Sequence, residues 1–189
     1  MKKLLTTSSN WKFILPAFLA FIICLYLFQS YQTEINSLTG KDSPIVDLRK
    51  NYDQQEIHQF FSLLTEEGRE IHKNITGVLD MIFPWAYGSF FILLTAFFLK
   101  KISPPQSNWI YLALFPILLM LVDYIENFNT LEMLAAFPDL DAQKVSDASR
   151  ITGLKSMLSY ISQLILLLSA LLYLVKKGME WKKNRDEQK

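Results

Sequence analysis

Four apolar runs separated by polar stretches divide this chain, and they restrict its fold more than any other feature. About 20 apolar residues in helical form cross the hydrocarbon core of a bilayer. Inside that core only helices and closed barrels satisfy every backbone hydrogen bond. The runs fall at about residues 12–30, 77–99, 109–126 and 154–175. In the first, Phe13 to Phe28 is short, but Trp11 and Tyr31 flank it and suit the interface. A basic start before an apolar core also resembles a signal peptide. No small-x-small cleavage site follows, so the run reads as a retained first helix. The expected architecture is all-α. It is a single integral membrane domain, a four-transmembrane-helix bundle with an external amphipathic helical segment, residues 32–76, between the first and second spans.

Composition agrees. Hydrophobic residues make up 51% of the 189-residue chain, and mean hydropathy is positive. The net charge of +1 gives no field for binding nucleic acid. Cys24 is the one cysteine, which excludes an intrachain disulfide, a cysteine-cluster zinc site and a CxxC redox pair.

The polar segments carry local signals. Residues 37–50, with Gly40 and Pro44, read as loop. Asp53 and Glu56 have capping-box spacing. Ile57, Phe60, Phe61, Leu64, Ile71 and Ile75 then form a helical stripe, interrupted at Gly68. One or two amphipathic helices over the mouth of the bundle are expected. In the second span Ala86, Gly88 and Ser89 offer a small face for close packing. Pro104-Pro105 marks a turn and Pro116 a kink in the third span. Residues 127–150 read as a polar connection with a turn at Pro138, Asp139 and Asp141. The fourth span opens at Ile151 or Leu154 with a polar stripe, Thr152, Ser156, Ser159 and Gln163, which should meet other helices or a cavity. Leu164 to Leu168 should meet lipid or core, and Lys176-Lys177 should stop the span.

Lysine and arginine set orientation. Eleven lie in the N-terminal segment, the second-to-third connection and the tail, and eight lie in the two longer connections among many acids. Both termini are therefore expected in the cytoplasm, and both longer connections outside.

Unexplained polar chemistry concentrates at Asp123-Tyr124-Ile125-Glu126-Asn127, where the third run ends. Asp123 and Glu126 are i,i+3, and Asp123 and Asn127 are i,i+4, so all three share a helix face. A charge at mid-membrane depth costs about 2.5 to 3.5 kcal/mol on insertion scales, so these groups need partners or water. With the helical rise of about 1.5 Å, Asp80 lies about 30 Å from Lys100, Asp123 about 21 Å from Trp109, and Lys155 about 31 Å from Lys176. All fall towards the outer side. Asp80, Asp123, Glu126, Asn127, Tyr87 and Lys155 are the binding candidates, with Arg69 and His72 brought above them by the external segment.

One reading is structural: Lys155, Arg150 or Arg69 pairs with the acids and fixes helix register. Another is an outward-facing site for ligand or ion binding, or a transport-accessory role, since intramembrane ionisable groups are functional candidates by default. A third is an intramembrane enzyme acting on lipid, with Asp123 or Glu126 as general base. A fourth is a structural or sensory role through the external helices. Four spans are few for a secondary transporter, which is usually built from repeats; a homodimer would supply them. No catalytic residue is assigned and no cofactor is indicated. For a metal, carboxylates with an asparagine suit a hard cation such as calcium or magnesium, with Asp80, Asp123, Glu126 and His72 as candidate ligands. His58 and His72 lack HExxH spacing, and GxSxG and Gly-rich phosphate loops are absent. The bilayer is the first expected partner, followed by a second copy or another membrane protein.

Three patterns occur together: Glu66-Glu67-Gly68-Arg69, Asp80-x-x-Phe83-Pro84-x-x-Tyr87-Gly88 and Asp123-Tyr124-x-Glu126-Asn127. Over about residues 45–160 the chain resembles a set of bacterial four-helix integral membrane proteins without an assigned activity. The resemblance implies a bacterial inner-membrane location and adds weight to those acids.

Overall fold

The computed structural model describes residues 1–40, 45–46, 49, 51–104 and 107–187. It is all-helical over these residues, in the order α1 (Lys2–Ser8), α2 (Trp11–Thr39), α3 (Gln54–Leu63), α4 (Glu66–Ile102), a 3-10 turn (Trp109–Leu114), α5 (Pro116–Ala136) and α6 (Ala142–Asp186). Among the described residues, four helical segments are long and apolar enough to cross a membrane: α2, α4, Trp109–Ala136 and α6. Their outer surfaces expose Leu19, Ile23, Leu118, Leu121, Leu164 and Leu167, as surfaces bathed in lipid require. Leu164 and Leu168 belong to this exterior and not to the core.

The helix ends depart from the expected spans, and each departure has a local cause. α2 continues nine residues past residue 30, to Thr39. It stops where Gly40 adopts φ 68°, a left-handed cap that side chains resist. Much of the expected 37–50 loop, residues 41–44, 47–48 and 50, lies outside the described residues, as do Pro105 and residues 188–189. α4 starts at Glu66, eleven residues before the expected span. Gly68 does not break it: Thr65 caps the helix through the Gly68 N–H at 3.1 Å. A Cβ on Gly68 would lie 3.2 Å from Leu38 Cδ1, so the glycine admits α2. Pro116 is not a kink but the first residue of α5, following the 3-10 turn. At that position its missing N–H leaves nothing unbonded. α6 begins at Ala142 rather than near residue 151, with Asp141 accepting from Lys144 N at 2.8 Å. It passes Lys176-Lys177 and runs on to Asp186.

α3 forms as its sequence pattern requires. Asp53 Oδ1 accepts from Glu56 N at 2.8 Å, and Glu56 Oε2 accepts from Asp53 N at 3.0 Å. The stripe is shared: Ile57, Phe60, Phe61 and Leu64 join Tyr31 and Ile35 of α2, Met133 of α5 and Val145 and Ala148 of α6 in one buried core, with Ile71 and Ile75 of α4 against it. This core joins α3 to one end of α2, α4, α5 and α6 and forms a roof over the bundle.

At the opposite end, Lys100 Nζ donates to the carbonyls of Thr6 and Ser9, both at 2.9 Å. Lys176 Nζ donates to Lys101 O at 2.7 Å. The N-terminal helix and the basic ends of α4 and α6 therefore meet at one pole, with α3 at the other. Between them α4 is the central helix, packed against α2, α5 and α6, and α5 also packs against α6. Gly88 lets α4 approach α5: a Cβ there would lie 2.3 Å from Met120 Sδ.

Candidate functional site

One turn of α5 carries Asp123, Glu126 and Asn127 into the interior; the three side chains are 4%, 0% and 0% exposed. Ile125 and Phe128, on the opposite face, are exposed. Lys155 of α6 reaches across to both acids. Its Nζ lies 3.4 Å from Asp123 Oδ1 and contacts Glu126 Oε2. One ammonium facing two buried carboxylates offsets part of the cost of burying them. The structural reading thus finds its cation in Lys155. Arg150 pairs instead with Asp147 on the exposed face of α6.

α4 supplies the other side. Tyr87 Oη donates to Asp123 Oδ2 at 2.8 Å, so Asp123 takes a neutral donor on one oxygen and a cation on the other. Asn127 Nδ2 donates to the main-chain oxygen of Asp80 at 2.8 Å. Tyr124 Oη donates to Met81 O at 3.0 Å. Two side chains of α5 thereby satisfy carbonyls on successive residues of α4, one turn before Pro84. Asp80 is itself buried.

Arg69 is placed away from this group. Its Nη1 donates to Phe61 O at 3.0 Å and Leu64 O at 2.6 Å. Its guanidinium lies 4.9 Å from the Phe137 ring centroid. It closes the C-terminal end of α3. His72 is buried edge-on to Tyr31, Phe60 and Phe61, with Nδ1 3.2 Å from Thr76 Oγ1. It belongs to the roof. Among the described residues no group of three or more His, Cys, Asp and Glu side chains is placed to hold a metal ion.

A cavity of about 690 Å³ opens beside the acids. Asp80, Asp123 and Lys155 line one part of it with Gln29 and Thr33 of α2; Phe21, Leu25, Phe91 and Leu119 line another. The polar stripe of α6 divides between two places. Thr152 Oγ1 meets Tyr52 Oη at 3.3 Å in the roof, while Ser156, Ser159 and Gln163 face the cavity. Gln163 Nε2 donates to Ser159 Oγ at 3.0 Å. Sequence reasoning missed the contribution of α2: Gln29 and Thr33 lie where an apolar run ends and carry no periodic signal before their neighbours are known.

No protein-family model matches the chain, and no curated protein and no solved structure matches it.

Proposed function

We propose that this polytopic protein resides in a bacterial inner membrane with both termini in the cytoplasm. Its Asp80–Asp123–Lys155 group forms an outward-facing binding site. The observation that carries this reading is the cavity. Side chains of both charge signs, from α4, α5 and α6, share one wall of a space of about 690 Å³. That size lies within the roughly 300–1,000 Å³ typical of small-molecule pockets, which combine apolar walls with a few convergent polar groups. A purely structural ion network has no need of such a space.

The gathering of basic residues at the α1 pole supports the orientation, because positive residues favour the cytoplasmic side. In a Cys24→Ser background, a cysteine placed at Glu67 should react with a membrane-impermeant maleimide on intact cells. One placed at Lys183 should react only after lysis. The reverse pattern would overturn the orientation. For the site, native mass spectrometry of the chain extracted from membranes should show a retained non-protein mass. That mass should be lost in Asp123→Asn while the thermal unfolding profile stays cooperative.

A further inference from the structure

Resting on the binding reading above, we infer that the cavity takes a bilayer phospholipid whose head carries both a phosphate and a primary ammonium. The lipid enters sideways between α2 and α6. The route is set by packing: α2 rests on α4, and α6 rests on α4 and α5. The space between α2 and α6 is floored by Phe83, Tyr87 and Phe91 of α4. Its two rims reach the exterior. Leu25 of α2 is 41% exposed and Tyr160 of α6 is 62% exposed, and both line the cavity. These rims are what a ligand arriving from the leaflet meets.

Polarity changes along the cavity as it does along a phospholipid. Asp80, Asp123 and Lys155 stand towards the roof, whose Ile45 also lines the cavity. Hydroxyls follow at Ser156 and Ser159, and the amide of Gln163 lies about 12 Å below Lys155 by helical rise. On α2 and α4 the descending wall is apolar, with Leu25, Phe21 and Phe91. Head, ester and acyl regions each find complementary chemistry. Ser159 and Gln163 bond each other, yet both line the cavity, where lipid tails alone would offer them no further hydrogen bonds.

Charge selects the head. Asp80, Asp123 and Glu126 outnumber the Lys155 ammonium that faces Asp123 and Glu126, so the site complements a ligand that brings its own ammonium to Asp80 and Asp123, with the lipid phosphate on the Lys155 side. An anionic head would set its phosphate near Lys155 but leave the carboxylates facing no cation of the ligand. A quaternary ammonium cannot donate to carboxylates and is held instead by aromatic faces. The rings of Phe28, Phe83 and Tyr87 also line this end, but the Asp80 and Asp123 carboxylates and the Gln29 amide oxygen accept N–H, which a primary ammonium donates and a quaternary one does not.

The test uses the full chain, delipidated in detergent and offered equal amounts of phosphatidylethanolamine, phosphatidylcholine and phosphatidylglycerol with identical acyl chains. Native mass spectrometry should show one phosphatidylethanolamine retained at least tenfold over the other two. Ser159→Trp, which fills the cavity from an α6 position, should abolish retention without lowering Tm. Asp80→Asn should reduce the preference to within about twofold. Equal retention of all three lipids overturns the inference, as does undiminished retention in Ser159→Trp. If the delipidated chain ignores all three lipids but membrane-extracted chain carries another mass that Asp123→Asn removes, the lipid inference fails and the binding reading stands. If nothing is retained under either condition, both fail.

Discussion

Tyr87 and Asp123, thirty-six residues apart, join α4 to α5 through a buried 2.8 Å hydrogen bond, and the same aspartate faces the Lys155 ammonium. Asp123 is therefore the point at which three helices share one interaction. Its neighbours cannot be altered independently.

Lys155→Met should be among the most damaging single changes in the chain. It leaves Asp123 and Glu126 in the interior without their cation, and removing one partner of a buried ion pair costs about 3 to 5 kcal/mol. Adding Glu126→Gln to Lys155→Met should recover part of that loss, because one orphaned charge disappears. Thermal unfolding in detergent of the two single variants and the double variant measures the coupling. Strict additivity would show that the contact is not energetically shared.

Gly88 and Met120 should also be coupled. The Cβ of Gly88→Ala would need Met120 Sδ to move from 2.3 Å, and overpacking of this kind costs about 1 to 3 kcal/mol. Met120→Ala in the same chain removes the obstacle. The double variant should then be more stable than the sum of the single losses predicts. Unfolding midpoints of the four proteins provide the check.

Asp53→Ala should loosen the roof without touching the spans. It removes the acceptor for Glu56 N, a cap worth about 0.5 to 2 kcal/mol. Hydrogen exchange should quicken in 54–63 and remain slow in 84–98. Equal acceleration in both would mean that roof and spans open together.

Ser149→Ala should cost more than a surface serine. Its Oγ accepts the Tyr52 main-chain N–H at 2.9 Å in a buried setting, and a buried donor left unbonded costs about 1 to 3 kcal/mol. Ser149→Thr keeps an acceptor there and should retain most of the stability. The same unfolding measurement separates the two variants.

The four spans were legible because hydropathy records a bulk property of each segment and needs no knowledge of its neighbours. The Asp53–Glu56 cap was legible for a related reason: both partners lie within one turn. Helix ends beyond the apolar runs were not legible. α2 from residue 31 and α6 from Ala142 are polar enough to resemble connections, yet Tyr31, Ile35, Val145 and Ala148 hold them helical through a shared core. Pro116 shows a different limit. A proline marks a helix start as well as a kink, and only the 3-10 turn before it decides between them. Face-sharing of Asp123, Glu126 and Asn127 followed from spacing alone. Arg69 was grouped with them by height, but the carbonyls of Phe61 and Leu64, close in sequence, hold it in the roof.

The roof has a consequence for biosynthesis. Its core combines α2 and α3, made early, with Val145 and Ala148 from the last helix. Chains emerge N-terminus first and domains fold as they are delivered, so a nascent chain halted after α5 holds Phe60, Phe61 and Tyr31 with one wall absent. Closure must wait for the final hairpin to insert. The exposed apolar seam of an unfinished copy would mark it for proteolytic removal before it could accumulate.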